Sequence, residues 1–264
     1  MLWAELFSRP GESELTLTSL PEKSCIDRLL LDIEGTTSSA EFVYKTLFPY
    51  SAAHVEPFLR RHSADAEVKR LMSELRAEQA ADAAKDPQLG IWMRGTAGEE
   101  IATAADYARH LIAIDRKTTP LKTLQGKIWE EGFRAGELLG HVYDDVPRAF
   151  ERWNAEGKRI AIFSSGSAEA QRLLFRHSKA GDLTKYIEAY FDTTTGPKRE
   201  AASYAAIAKA LGADAARILF VSDVEAELDG ARGAGMRTAW MLRPGTARPE
   251  AARHATIESF DEVF

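Results

Sequence analysis

Two acidic residues, Asp32 and Glu34, follow an apolar run and directly precede a glycine in the segment Asp32-Ile33-Glu34-Gly35-Thr36-Thr37. Side chains alternate along a strand, so Asp32 and Glu34 would share one face. Carboxylates held close together repel each other, and both stay ionised only where a cation neutralises them. The segment therefore predicts either an acidic surface turn or half of a metal-assisted carboxylate site.

The elements that would position these acids are short apolar runs that end in polar residues. They are Arg28–Leu31, Arg159–Phe163, Arg217–Val221 and Thr238–Leu242, with Ala189–Phe191 as a shorter candidate. Continuous apolar runs are typical of strands covered on both faces, as in parallel sheets. Helical patterns stand between the later runs, so the sequence predicts an α/β fold with a doubly wound, mostly parallel sheet.

This alternation of strand and helix stops between residues 50 and 140. Apolar residues recur there at helical spacing, in the stripes Val68, Leu71, Met72, Leu75 and Ile101, Ala105, Ala108, Ile112. We expect an all-helical domain over residues 50–140, inserted in an α/β core of residues 26–49 and 141–264. Residues 1–25 are expected to be an N-terminal extension, in which Ser13–Ser19 alternates like a short strand.

Further polar residues stand at the carboxyl ends of the predicted strands, where open parallel sheets bind ligands. They are Ser164 and Ser165 after the second run, Ser222 and Asp223 after Arg217–Val221, Glu227 four residues later, and Lys198 before the intervening helix. Together they suit phosphoryl transfer. A carboxylate can attack phosphorus, Mg²⁺ takes oxygen ligands, and an amine with hydroxyls can stabilise phosphate oxygens.

Taken singly, each of these residues is also typical of ordinary structure. Serines cap helices, and a single lysine or aspartate commonly faces solvent. The motifs are informative together, because unrelated surface residues seldom occur in this order at the ends of apolar runs.

The order of these motifs resembles that of the haloacid dehalogenase-like phosphatases, and more closely that of the enolase-phosphatase family of methionine salvage. The matching segments are Asp32–Thr37, Leu47–Tyr50, Asp115–Lys122, Leu124–Gly126, Ser164–Ser167, Phe191–Thr194, Gly196–Lys198 and Ser222–Val224. The likeness runs from about Arg28 to the C-terminus. It is most specific in Asp115–Lys122, inside the helical insertion.

The resemblance implies that Asp32 is the nucleophile and that Mg²⁺ is the cofactor. Asp32, Glu34 and Asp223 would hold the metal ion. Glu34 stands where most phosphatases of the superfamily carry a second aspartate that acts as general acid and base.

The resemblance also implies how the substrate, a small phosphate ester, is bound. Ser164 and Ser165 would bind its phosphate. Lys198 would bind the phosphate too, and would keep Asp32 ionised. Ser222 and Glu227 would support this set.

The implied reaction converts 2,3-diketo-5-methylthiopentyl-1-phosphate to the acireductone 1,2-dihydroxy-3-keto-5-methylthiopentene and phosphate, by enolisation and then through an aspartyl-phosphate on Asp32. Enolisation needs a base beside a carbonyl. We hypothesise that Glu34 is this base, because its extra methylene reaches further than an aspartate.

The helical insertion would be a cap that closes over the site and excludes water. Lys117 and Lys122 are candidates to contact the polar end of the substrate. Phe42, Phe48 and Tyr50 are candidates for an apolar wall around the methylthio tail. The plainer alternatives are surface charges for the lysines and core or hinge packing for the aromatic residues.

Two other functions remain open at this point. A phosphatase of the same superfamily acting on another small phosphometabolite would share the core site, because substrate choice depends on the cap. A receiver-like phospho-acceptor module also uses a strand-end aspartate, Mg²⁺, a hydroxyl residue and a lysine. Such modules are much shorter and have no helical insertion.

Composition limits the partners. The formal charge of −6 and pI near 5.6 argue against a nucleic-acid surface, and no apolar run approaches the length of a membrane span. Cys25 is the only cysteine and the six histidines are scattered, which disfavours disulfides and zinc. We expect a cytoplasmic protein, and a monomer.

Overall fold

The structure is a computed structural model of the 264-residue chain, and it describes residues 19–86, 89, 92–93, 95–247 and 251–264. These residues form two compact units. The α/β unit comprises the described residues of Met1–Ser39, Val142–Ser165 and Leu183–Phe264. The helical unit comprises those of Ala40–His141 and Gly166–Asp182. The strand predicted over Ser13–Ser19 lies, but for its last residue, outside the described residues.

Six strands of the described residues form one parallel sheet in the order β3-β2-β1-β4-β5-β6. They are β1 (Arg28–Leu31), β2 (Arg159–Phe163), β3 (Ile187–Phe191), β4 (Ile218–Ser222), β5 (Arg237–Met241) and β6 (Ala255–Ile257). The predicted α/β class with a mostly parallel sheet is confirmed.

Helices cover both faces of this sheet. On one face Leu30, Phe163 and Phe220 pack against α8 (Ala201–Ala210) and α9 (Glu225–Gly233). On the other face α6 (Asp145–Ala155) contacts β2, and its Trp153 packs edge-on against Phe260 at 5.4 Å between ring centroids. This double cover explains why the central strands are apolar at successive positions.

The strand ends differ slightly from the prediction. The runs Arg28–Leu31 and Arg159–Phe163 coincide with β1 and β2, whereas β4 begins and ends one residue later than the predicted run and β5 one residue earlier. The sequence analysis missed β6. This edge strand has only three residues, and its middle residue, Thr256, is exposed, so it offers too short a pattern to recognise.

The helical unit is built around one apolar core. Its helices are α1 (Ala40–Phe42) continuing through a π-helical turn (Val43–Leu47), α2 (Phe48–Arg61), α3 (Ala66–Ala83), α4 (Ala97–Ala113), α5 (Thr119–Arg134) and α7 (Ala168–Arg176). The two predicted stripes face this core on α3 and α4. Asp65 caps α3, and a reciprocal pair of Thr96 and Glu99 caps α4.

The helical unit extends beyond the predicted insertion. It begins at Ala40, and it includes α7, which the sequence analysis assigned to the α/β core. These compact units are defined by contacts within the structure. The division into an α/β core of residues 26–49 and 141–264 and an inserted domain of residues 50–140 stays a prediction. Within the described residues, no helix combines the length and the apolar character that a bilayer crossing requires.

Candidate active site

Asp32 lies at the carboxyl edge of the sheet, between the ends of β2 and β4. Leu31, the last residue of β1, pairs with Ile162 and Val221. The ladder continues one residue further, because the Asp32 N–H donates to the Val221 carbonyl at 3.0 Å. Asp32 is thereby placed beside Ser222, the last residue of β4.

A tight turn holds the backbone that follows Asp32. The carbonyl of Ile33 accepts hydrogen bonds from the N–H groups of Thr36, Thr37 and Ser38, at 3.1, 3.0 and 2.8 Å. The Thr37 hydroxyl donates to the carbonyl of Asp32 at 2.9 Å. The buried Asp32 carboxylate is therefore carried by a backbone segment with little freedom to move.

Gly35 allows a second acid to approach this turn. Its φ is +71°, and a Cβ added there would lie 2.1 Å from Oδ2 of Asp223. Only glycine combines this left-handed conformation with so close a neighbour. Asp223 thus lies directly against the loop that carries Asp32 and Glu34.

Lys198 bridges two carboxylates of the site. Its Nζ lies 2.7 Å from Oδ1 of Asp32 and 2.7 Å from Oε2 of Glu227. The Asp32 oxygen also accepts the N–H of Ile33 at 2.7 Å. The predicted nucleophile and the predicted lysine, 166 positions apart in the chain, are therefore in direct contact.

The loop of Lys198 is fixed by helix α8. The hydroxyl of Tyr204 donates to the carbonyl of Lys198 at 2.6 Å, and that of Ser203 donates to the carbonyl of Pro197 at 2.7 Å. Gly196 has φ +144°, and a Cβ there would lie 2.3 Å from Oγ of Ser203. The position of the Lys198 amine is thus set by the backbone conformation of its loop as well as by its ion pairs.

The charge of Lys198 is stabilised by its partners. Burial alone would lower the pKa of its amine, but the negative charges of Asp32 and Glu227 outweigh burial and raise that pKa. Lys198 is therefore an ammonium across the physiological range.

Three acids near Lys198 have raised pKa values. Burial raises the pKa of Asp223 to about 6 and that of Glu227 to about 7, and the charge of Asp32 adds to both shifts. Burial, with the same charge of Asp32, also raises the pKa of Glu34.

Two hydroxyls complete the contacts. Oγ of Ser222 lies 3.1 Å from Oδ2 of Asp32 and 3.0 Å from Oε2 of Glu227, so its single proton can be donated to either acid. The Ser164 hydroxyl donates to Oε2 of Glu34 at 3.1 Å. Ser165 follows at the same end of β2 and is half-buried.

The other candidates lie in the helical unit. Phe42 is buried there, while Phe48 and Tyr50 pack against the apolar core of that unit. Tyr50 donates to Glu137 at 2.7 Å. The Lys117 side chain is exposed, and its amine lies 3.8 Å from Oδ2 of Asp115. Lys122 is partly buried on α5.

Sequence reasoning missed three residues that brace the site. Tyr204 bonds the backbone of Lys198, as above. Trp240 donates from Nε1 to the carbonyl of Asp223 at 2.9 Å. Arg243 donates to the carbonyl of Thr36. Arg243 comes two residues after β5, so the strand-end rule that singled out Asp32 could have found it.

The acid set fits a divalent cation. Asp32 and Glu227 pair with the ammonium of Lys198, while burial and the charge of Asp32 raise the pKa values of Glu34 and Asp223. No three or more carboxylate or imidazole groups of the described part of the chain form a ready-made metal cage. Mg²⁺ does not need one, because it commonly uses one or two carboxylates with waters and substrate phosphate.

The chain is similar to known proteins over most of its length. A profile of the haloacid dehalogenase-like hydrolases matches residues 26–235. Enolase-phosphatase E1 of Synechococcus elongatus is 52% identical over 244 residues, which are 92% of this chain and 100% of that protein. Enolase-phosphatase E1 of Azotobacter vinelandii is 47% identical over 235 residues, 89% of this chain and 96% of that protein.

A solved structure shows the same architecture. The crystal structure of the UTR4 protein of Saccharomyces cerevisiae superposes with a TM-score of 0.73 at 33% identity. The match covers 90% of this chain and 99% of the yeast chain.

Proposed function

We propose that this chain, which belongs to the haloacid dehalogenase-like hydrolases and among them to the enolase-phosphatases, catalyses the acireductone-forming step of methionine salvage. The substrate is 2,3-diketo-5-methylthiopentyl-1-phosphate. The products are 1,2-dihydroxy-3-keto-5-methylthiopentene and phosphate. The contact of 2.7 Å between the Lys198 amine and the Asp32 carboxylate carries this proposal, because it joins a nucleophile to a phosphate-binding cation.

Phosphate removal proceeds in two displacements at phosphorus. The Asp32 carboxylate forms a bond to phosphorus as the bond from phosphorus to the substrate oxygen breaks. The departing oxygen takes a proton from Glu34, which gives an aspartyl-phosphate and the dephosphorylated product. Water then gives a proton to Glu34 and attacks phosphorus, and the Asp32 carboxylate leaves as phosphate is released. This division replaces one difficult step by two easier ones.

Lys198, Ser164 and Ser165 bind the phosphate in this proposal. The ammonium and the hydroxyls face oxygens whose negative charge is spread in the transition state. The double ion pair of Lys198 supports this role, since it holds the ammonium beside the attacking oxygen before substrate arrives.

Enolisation requires a base, and we assign that role to Glu34. A carboxylate oxygen of Glu34 would remove the proton from the carbon beside the carbonyl. Two observations support this choice. Glu34 follows the proposed nucleophile, Asp32, by two positions in the chain. The Ser164 hydroxyl donates to one oxygen of Glu34 at 3.1 Å.

Mg²⁺ is the cofactor in this proposal, and Asp32, Glu34 and Asp223 would hold it. The bound ion supplies positive charge that polarises substrate oxygens and screens the acids from one another. The excess of acids over ammonium groups supports this assignment.

We propose that the helical unit acts as the cap. Lys117 and Lys122 would contact the polar end of the substrate, and Phe42, Phe48 and Tyr50 would line its methylthio tail. The fit of Asp115–Lys122 to the family motif supports this reading, as does the exposed side chain of Lys117.

A substrate panel tests the proposal. The full chain with Mg²⁺ is given the diketone phosphate, sugar phosphates and phosphoglycolate, and enol formation and phosphate release are followed separately. We expect both with the diketone phosphate, at a kcat/KM far above that for the other esters, and neither phosphate release nor aspartyl-phosphate with Asp32→Asn. Preference for another ester would identify a different phosphatase. A long-lived phospho-Asp32 without turnover would identify a receiver-like module.

A further inference from the structure

We propose that Arg243 is a positioning residue, which keeps the Asp32 loop in its reactive conformation by binding the carbonyl of Thr36. The inference rests on the proposed function for the role of Asp32. Arg243 acts on Asp32 indirectly, through the turn that carries Asp32.

The contact itself is a two-pronged hydrogen bond from a buried cation. Nε and Nη2 of Arg243 both donate to the Thr36 carbonyl, at 3.0 and 2.6 Å. The side chain of Arg243 is only 7% exposed. A planar guanidinium can present two donors to one oxygen, whereas a lysine amine at the same place presents a flexible point charge.

Arg243 is itself held on its other side. Nη1 donates to Oδ2 of Asp145 at 2.7 Å, and the Asp145 side chain is also only 7% exposed. The same carboxylate oxygen accepts the N–H of Phe260 at 2.7 Å and the hydroxyl of Ser259 at 3.1 Å. The guanidinium lies 4.1 Å from the ring centre of Tyr143.

The chain of contacts from Thr36 to the nucleophile is short. The N–H of Thr36 bonds to the carbonyl of Ile33, the residue after Asp32. Thr37, the residue after Thr36, bonds through its hydroxyl to the carbonyl of Asp32. A shift of Thr36 therefore pulls on the two peptide groups that follow Asp32, which are Asp32–Ile33 and Ile33–Glu34. A displacement of about 1 Å at a reacting group can cost about 10²-fold in rate.

The test separates positioning from simple stabilisation with two variants. Arg243→Lys keeps a cation beside Asp145 but loses the fork to Thr36. Arg152→Lys is the matched control, because Arg152 also anchors the C-terminal segment, through the carbonyls of Phe260 and Val263 at 2.8 and 3.2 Å. These two hydrogen bonds of Arg152 go to carbonyls outside the turn that carries Asp32.

For Arg243→Lys with saturating Mg²⁺, we expect kcat on the diketone phosphate to fall at least about tenfold while KM stays within about twofold. Amide hydrogen exchange of the full chain without substrate should be at least about tenfold faster at Thr36, Thr37 and Ser38, with β4 unchanged. Arg152→Lys should lower Tm and leave kcat and the exchange of these three amides unchanged.

Unchanged exchange at Thr36–Ser38 in Arg243→Lys would overturn the inference, as would an equal loss of kcat in Arg152→Lys at matched Tm. If Arg243→Lys is not recovered folded, Asp145→Asn replaces it. That variant leaves Arg243 in place but loosens its anchor, and the same pair of readouts decides. The exchange measurement requires no turnover, so it stands even where the wild-type chain fails the substrate panel.

Discussion

The side-chain amine of Lys198 lies 2.7 Å from Oδ1 of Asp32, and both side chains are at least nine-tenths buried. Removing one partner of so deeply buried a charge pair is costly, because the remaining buried charge has little hydration. Under the proposed function, this amine would meet the phosphate that the carboxylate attacks.

Replacing Lys198 by methionine should reduce kcat/KM about 10²–10³-fold, because one preorganised cation facing the transferred phosphoryl group is lost. Phosphate release from the diketone phosphate measures this. Lys209→Met, at an exposed position on α8, is the control and should behave as wild type. Activity of Lys198→Met within about fivefold of wild type would contradict the assigned role.

Replacing Gly35 by alanine should abolish most turnover. The added Cβ would meet Oδ2 of Asp223 at 2.1 Å and would force that acid or the loop aside. The left-handed backbone adds a cost of about 1–2 kcal/mol in unfolding free energy.

Gly157→Ala is a matched control for this variant. Gly157 has φ +73°, close to that of Gly35, but a Cβ there meets nothing within 4 Å. Denaturant melts should show a loss of about 1–2 kcal/mol in Gly157→Ala, from the backbone alone, and at least as much in Gly35→Ala, whereas turnover should fall only in Gly35→Ala. Equal kcat in the two variants would show that the approach of Asp223 to the loop is unimportant for catalysis.

Glu34→Gln should separate the two half-reactions. The amide keeps the shape of Glu34 and an oxygen for the Ser164 hydroxyl, but it cannot remove a proton from carbon. We expect enol formation to fall about 10²–10⁴-fold, the usual contribution of a general base. Enol formation at the wild-type rate, with only phosphate release impaired, would exclude Glu34 as the base.

The double variant Lys117→Ala, Lys122→Ala tests the cap contacts. We expect KM for the diketone phosphate to rise about tenfold or more, because two cations at the polar end of the substrate are removed. The control is Lys69→Ala, Lys85→Ala, which removes two exposed lysines from the same unit. The same KM in both double variants would leave the two lysines as surface charges.

His254 should make stability depend on pH. Burial lowers the pKa of its imidazole from the ordinary value of 6.5, and the charge of Arg232 adds to this, whereas the hydrogen bond that the ring donates to Asp229 opposes it. The unfolded chain therefore binds a proton near pH 6.5 that the folded chain resists. The resulting stability is fully present above pH 6.5 and is lost as pH falls below it.

Denaturant melts at pH 7.5 and 5 for wild type and His254→Gln measure this effect. Glu225, Asp229 and Arg232 act electrostatically on the ring, and Arg253 pairs with both of these acids. Asp223 and Glu227 of the active site, whose pKa values are raised to about 6 and about 7, titrate in the same pH range. Only the difference between the two proteins therefore reports on His254. We expect His254→Gln to lose less stability than wild type over this range, and an equal or larger loss would contradict the assignment.

Local pattern alone predicted the strands that carry the site. Apolar runs buried on both faces identified β1 and β2 to the residue, and the acids and serines that follow these runs stand at the sheet edge as expected. The pattern is informative because burial between two layers of helices demands apolar side chains at successive positions, as in residues 29–31 and 160–163. It fails for β6, whose three residues carry one exposed position, and it misplaces each end of β4 and β5 by one residue.

Which distant residues meet was decided by the tertiary structure. The adjacency of β1 and β4 brings Asp32 to Ser222, and the fixed loop before α8 brings Lys198 to Asp32 and Glu227. Arg243 could be placed against Thr36 only once β5 was known to lie beside β4. Strand order and loop conformation depend on packing across the whole chain. Contacts between residues far apart in sequence, such as Arg243 and Thr36, can therefore be identified only in the folded structure.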